Sequence, residues 1–168
     1  MSDSSALEPR SLRLETFLPY RLNVVAAEIS QALAGIYGAR FGISIPEWRV
    51  LATLGQFGEA TARAVGAHSR MHKTSVSRAV GALEGRGLIA RRANAADRRE
   101  AFLTLTDAGR AIYLEIVPLA SAFAENLCAG FTAEERSVFD RLLDALLARI
   151  DSGSARLDAP ETSNGLFP

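Results

Sequence analysis

One change of hydrophobic period constrains this chain more than any other feature. Through most of its length apolar residues recur at three- and four-residue steps, the spacing of one helix face. Between Gly87 and Thr106 the period shortens. Leu88-Ile89-Ala90-Arg91-Arg92 and Ala101-Phe102-Leu103-Thr104-Leu105 read as two short strands around a polar, charged loop over residues 93–100. Together they predict a β-hairpin with a protruding tip. One hairpin among helices predicts a fold that is mainly α with a small β-hairpin wing.

The helices on either side carry their own punctuation. Leu18, Leu22, Val25, Ile29, Leu33 and Ile36 predict a helix over about 12–40, longer than a small core can cover. Ser44-Ile45-Pro46-Glu47 is a capping box with proline in the first turn, and opens a helix carrying Trp48, Val50, Leu51 and Leu54. Thr61 caps a short helix, about 62–68. Ser69-Arg70-Met71 is a tight link to a helix from about His72 to Arg86, which Gly87 ends. After the hairpin, Thr106 caps a long helix with Ile112, Ile116, Leu119, Phe123 and Leu127 inward, which Pro118 is expected to kink or open. Thr132-Ala133-Glu134-Glu135 is a second capping box, and Phe139, Leu142, Leu143, Leu146 and Ile150 line its helix. This order describes a winged helix-turn-helix over 44–105, flanked by long helices over 11–41 and 106–151 whose apolar surplus predicts pairing with a second copy. Residues 1–10 and 152–168 are polar and read as flexible tails of a single 168-residue chain.

Several function classes are excluded by what the chain lacks. No apolar run reaches the roughly 18–20 residues that span a bilayer. MSDSSALEPR is acidic and polar where a signal peptide needs a basic start and an apolar stretch, so a cytoplasmic location and no membrane partner are expected. A lone cysteine, Cys128, forms neither a disulfide framework nor a multi-cysteine zinc site. Its default reading is a buried, inert thiol. No Ser-His-Asp order, phosphate loop, metal cluster or dinucleotide glycine motif is present, so neither an enzyme nor a cofactor is expected.

Charge is balanced overall, with 19 basic and 19 acidic residues, but unevenly spread. Over residues 63–99 nine basic residues face two acids, Glu84 and Asp97, which predicts a face made for a polyanion. Scattered solvated arginines are the plainer reading. On a helical wheel Val80 and Leu83 fall beside Val76, while Thr74, Arg78, Gly81 and Gly85 fall opposite, flanked by Ser75 and Ser77. Two glycines weaken a helix by roughly 1 kcal/mol each relative to alanine, which a close approach to a DNA groove would justify. Lys73, Thr74 and Ser75 occupy the first turn, where free N–H groups and the helix dipole favour a phosphate.

From Trp48-Arg49-Val50-Leu51, through Ser77-Arg78-Ala79-Val80 and Leu83-Glu84-Gly85-Arg86-Gly87-Leu88-Ile89, to Asp97-Arg98-Arg99 and Leu103-Thr104-Leu105-Thr106-Asp107-Ala108-Gly109, the chain resembles the MarR family of bacterial transcription regulators. The family's wing signature, Asp-x-Arg and then Leu-Thr-x-x-Gly, falls in register at Asp97, Arg99, Leu105, Thr106 and Gly109. The resemblance covers about residues 46–109. It implies an obligate homodimer on a pseudo-palindromic double-stranded DNA operator, with recognition helices in adjacent major grooves and wings in the flanking minor grooves. Arg78 then looks like the helix arginine that meets a base or phosphate. Arg99 looks like the wing-tip arginine of the minor groove, Arg98 like a phosphate contact, and Asp97 like the carboxylate that fixes the wing, a role compatible with a plain turn residue.

Many members of that family bind a small aromatic acid between the helices of the dimer and the DNA-binding lobe. The impression here is nearest to repressors that answer nicotinate-type pyridine carboxylates. The corresponding candidates are Arg21, Trp48, Arg49 and His72, since arginine holds a carboxylate bidentately and indole stacks on a ring. Each has a plainer reading: Trp48 as core, Arg21 and Arg49 as exposed or paired. The expectation is a ligand-released dimeric repressor, possible ligands being pyridine or benzene carboxylates. The alternative is a winged-helix module that binds protein without a ligand switch, against which the basic stretch speaks.

Overall fold

The computed structural model describes residues 12–94 and 100–153, and the chain divides after Phe123 into two compact units. In the first, a 3₁₀ turn at Leu14–Thr16 precedes α1 (Leu18–Phe41), α2 (Ile45–Phe57), β1 (Glu59–Thr61), α3 (Ala62–Ser69), α4 (Lys73–Gly85), β2 (Ile89–Ala93), β3 (Ala101–Leu105) and α5 (Asp107–Leu127), which runs on past the division. The second holds α6 (Ala133–Asp151). Of the expected tails, only Ser152 and Gly153 lie within the described residues, where they form a turn.

Local chemistry sets most helix ends. Ser44 and Glu47 form the full capping box of α2: the Ser44 hydroxyl accepts from the Glu47 N–H, and the Glu47 carboxylate accepts from the Ser44 N–H at 2.7 Å. Thr61 caps α3, accepting from the Ala64 N–H, and Thr132 with Glu135 repeats the box at α6. Gly42 and Gly87 stop α1 and α4 at φ +61° and +67°, where a Cβ would be strained.

The first helix departs from expectation. It starts at Leu18, not Leu12, because Pro19 stands in its first turn and Phe17 is extended. Proline has no N–H to give and is best placed in a first turn, where that N–H would be unpaired anyway, so Pro19 favours a start here over a helix that runs through it. The inward face is also displaced. Tyr37 is buried at 1% exposure and Leu33 packs on the core, whereas Leu18, Leu22, Val25 and Ile36 stay exposed.

The sheet has three antiparallel strands in the order β1-β3-β2. Ile89 faces Leu105 and Ala93 faces Ala101 in the hairpin, and β1 pairs Ala60 with Leu103. Sequence periodicity misses β1, since three residues are too few to display a period. The core gathers Val50, Leu51 and Leu54 of α2, Val65 of α3, Val76, Val80 and Leu83 of α4, Leu103, and Ile116 of α5.

The turn from β3 into α5 explains the Leu-Thr-x-x-Gly signature. Thr106 Oγ1 donates to the Gly87 carbonyl at 2.7 Å and accepts from the Gly109 N–H at 3.1 Å. A Cβ on Gly109 would collide with the Leu88 backbone, so only glycine lets α5 start against the end of α4. Pro118 does not interrupt α5. The bond it cannot donate belongs to the carbonyl of Leu114, and both residues are exposed, so water can serve that carbonyl.

Ile112 and Ile116 face the core as expected, but Leu127 is exposed. On α6 no residue is buried. Phe139, Leu142 and Ile150, expected inward, are 49%, 51% and 61% exposed. A periodic apolar stripe specifies a face to be covered, and these three side chains of it stay exposed among the described residues. Cys128 is half-buried rather than buried, with its carbonyl accepting from Arg136.

Candidate nucleic-acid interface

α4 divides as its wheel predicts. Val76, Ala79, Val80 and Leu83 are buried, and Lys73, Thr74, Ser75, Ser77, Arg78, Gly81 and Gly85 are exposed. Nothing lies within 4 Å of where a Cβ would stand on Gly81 or Gly85, so neither glycine is required by packing within the chain. The exposed surface therefore offers short hydroxyls, one guanidinium and bare backbone. A recess of about 610 Å³ opens beside it, between α3, α4 and the wing strands, with Arg63, Lys73, Ser77 and Arg91 on its walls.

The charge of the basic stretch is reduced by pairing. Arg91 makes two bonds of 3.1 Å to Glu84, and Arg92 bonds Glu59 at 2.8 Å while lying over the Phe102 ring. Arg86 turns away to the carbonyls of Phe41 and Gly42. Arg63, Arg70, Lys73 and Arg78 form no ion pair among the described residues. Net charge counted along the sequence thus overstates what this face presents to a polyanion. Asp97, Arg98 and Arg99 lie outside the described residues.

The four residues singled out for a small acid do not come together. Trp48 lies half-buried between Tyr37, at 5.6 Å between ring centroids, and Tyr113, at 6.1 Å and nearly parallel. Gly55 leaves room for the Tyr113 ring, which a Cβ there would strike. Burial raises the Tyr37 phenol above the ordinary tyrosine value, against an opposing pull from Arg49. Trp48 and Arg49 line a second, open recess of about 470 Å³ between α2 and the end of α3. Arg21 is exposed on α1 and does not line it. His72 does not either: its Nδ1 accepts from the Thr74 N–H at 3.4 Å, making it the N-cap of α4. That leaves one fewer free N–H in the first turn of α4 than the sequence suggests.

His68 and Arg70 are the residues that line this recess beside Trp48 and Arg49. His68 stacks on Phe57 at 4.4 Å, and both line the recess with Thr53 and Arg70. Arg70 is the one non-glycine at positive φ among the described residues, at +53°. A tight link written Ser-Arg-Met, with no glycine or asparagine to take the left-handed position, was the available signal. Among the described residues no acidic one lines this recess. Among the described residues no cluster of His, Cys, Asp or Glu could hold a metal, and no helix is long and apolar enough to cross a membrane.

The matches to known proteins agree with this geometry. A model of the MarR family matches residues 41–100, the span from the end of α1 to the wing. The MarR family transcriptional regulator SPO1453 from Silicibacter pomeroyi DSS-3 is 30% identical, with a TM-score of 0.68 over 81% of this chain and 99% of its own. The chain belongs to the MarR family. It is a MarR-type, DNA-binding transcriptional regulator. The uncharacterized HTH-type transcriptional regulator YwoH from Bacillus subtilis (strain 168) is 30% identical over 107 residues, 64% of this MarR chain and 77% of YwoH. BpsR of Bordetella bronchiseptica, whose DNA binding is regulated by 6-hydroxynicotinic acid, is 24% identical at a TM-score of 0.63, over 75% of this chain and 98% of its own, a likeness of fold.

Proposed function

We propose that this MarR-type regulator is a cytoplasmic homodimeric repressor that grips a pseudo-palindromic operator and is released by a small aromatic carboxylate. The exposed face of α4 carries the reading, because it is polar, partly side-chain-free and centred on Arg78, which forms no ion pair among the described residues. Lys73, Thr74, Ser75, Ser77 and Arg78 meet the major groove. The wing tip with Asp97, Arg98 and Arg99, which the family resemblance assigns to the minor groove, completes the contact. Half-site centres then lie roughly 10 bp apart. The dimer is supported by large apolar side chains left in solvent on α1 (Leu22, Val25), α5 (Leu114, Leu127) and α6 (Phe139, Leu142, Leu147, Ile150), more than an isolated chain ordinarily leaves uncovered.

The recess between α2 and α3 supports the ligand. Arg49, Arg70 and His68 supply donors, Trp48 and Phe57 supply ring faces, and among the described residues no carboxylate lines the recess to oppose an anion. A pyridine or benzene carboxylate fits that chemistry, with BpsR as the precedent. Such a ligand acts only through unequal affinity for the DNA-binding and released arrangements.

The test is footprinting on the DNA upstream of the chain's own gene, with and without nicotinate, 6-hydroxynicotinate and salicylate. Two symmetric protected half-sites, lost on adding one of these acids and retained with Arg49→Gln, are expected. A single asymmetric footprint refutes the paired reading, and protection unchanged by every acid refutes the ligand. If the dimer neutralises roughly 6–10 phosphates, affinity falls on the order of 10³–10⁵-fold between 50 and 200 mM salt.

A further inference from the structure

Arg86 belongs to the basic stretch by sequence, yet its geometry is that of a strut. It is the C-cap of α4, and its guanidinium leaves that helix. Nη2 donates to the Phe41 carbonyl at 2.8 Å and Nη1 to the Gly42 carbonyl at 2.9 Å. Nη1 also stands 3.9 Å from Glu47. The two carbonyls end α1, where the helix dipole favours a cation. Glu47 is 8% exposed, and its other oxygen is held by Ser44 at the start of α2. One planar fork therefore joins the ends of α1, α2 and α4.

The same end of α4 is held from a second side. The Gly87 carbonyl accepts from Thr106, the Leu88 carbonyl accepts from the Thr106 N–H at 3.1 Å, and Gly109 sits against the Leu88 backbone. So α1 and α5 hold the C-terminal end of α4, and from Val76 to Leu83 α4 packs into the core it shares with α2 and α3, so that α4 tilts together with those helices about the held end. A helix of this length spans about 20 Å, so a tilt of about 10° at the held end moves the far end by about 3.4 Å, one base-pair rise.

We propose that Arg86 is a positioning residue: it fixes the tilt of α4 against α1 and thereby sets which half-site spacing the dimer accepts. This rests on the reading of α4 as the groove-reading helix of a dimer. Both terminal nitrogens of Arg86 are committed to protein carbonyls, which leaves the side chain poorly placed to hold a phosphate. A change in α1 or α5 that shifts their grip reaches α4 through this joint, which links the dimer helices to the operator without any contact to DNA.

The experiment compares the parent with Arg86→Gln and Arg86→Lys. The probe is a palindromic duplex recovered with the parent from random sequence, together with versions lengthened or shortened at the centre by one or two base pairs. Arg86→Gln, which removes both charge-assisted bonds, is expected to flatten the preference between spacings by at least about tenfold, while the slope of affinity against salt stays at the parent's. Arg86→Lys, able to reach one carbonyl, should fall between. A uniform loss across all spacings with a shallower salt slope would make Arg86 a phosphate contact and overturn the proposal. Parent-like spacing preference in either variant overturns it as well, and Arg86→Lys decides if Arg86→Gln melts too low to assay. A parent that selects only single half-sites overturns the paired reading itself, before any variant is compared.

Discussion

Gly81→Ala separates what α4 needs to fold from what it needs to bind. Gly81 lies in the middle of α4 with nothing within 4 Å of the position a Cβ would take. Alanine there loses no contact and gains helix propensity, so the folded chain should gain about 0.5–1 kcal/mol. At roughly 2–4 °C per kcal/mol for a chain of this size, the melting temperature rises by about 1–4 °C. The same methyl group would project from the face assigned to the major groove. If backbone and base edges approach there as closely as in a packed interior, one added methyl costs about 1–3 kcal/mol, or about 5–150-fold in affinity at each half-site. Thermal melts at matched protein concentration and equilibrium binding to the selected operator give the two numbers. Higher stability with weaker binding is expected. Higher stability with parent-like binding would refute the idea that this glycine is kept for groove approach. Lower stability would refute the reading of its surroundings as open.

Gly109→Ala should do the opposite, because its Cβ meets the Leu88 backbone, which cannot rotate away. Overpacking plus disturbance of the Thr106 bonds to Gly87 and Leu88 should cost about 3–5 kcal/mol, lowering the melting temperature by about 6–20 °C; a melt within a degree of the parent would contradict that contact. Arg78→Ala removes an exposed guanidinium that forms no ion pair among the described residues, so melts should be unchanged. If Arg78 reads a guanine, the loss is about 1–3 kcal/mol with relaxed choice at that base, and equal loss on every sequence would make it a phosphate contact instead. Tyr37 has its phenol raised by burial, so folding favours the neutral form. Its contribution is whole below the ordinary value of 10.0 and is lost as pH rises beyond it. Phenolate absorbance should contain a late step that Tyr37→Phe abolishes, and a titration identical in the two proteins would remove the effect.

The sequence by itself determined the features that depend on neighbours within a turn or two. Ser44 with Glu47, Thr61, Gly87, Thr106, and Thr132 with Glu135 act across three or four positions, so their helix ends can be read directly. The division of α4 into an apolar and a bare polar face follows from its period alone, whereas Leu-Thr-x-x-Gly was legible only as a resemblance, and its contacts with Gly87 and Leu88 belong to the structure. Only the tertiary structure decided which cations remain free and which side chains meet. Arg86 reaches carbonyls 44 and 45 positions away, Arg92 reaches Glu59 across 33, and Arg40 reaches Glu115 across 75. Charge counted along a chain carries no record of such partners. Nor does it reveal that His68 and Arg70, rather than Arg21 and His72, stand beside Trp48 and Arg49, since that depends on how α3 lies against α2. The exposed stripe on α6 marks the same limit from the other side: periodicity says that a face must be covered, while what covers it is set by packing between surfaces far apart in sequence, or on another copy.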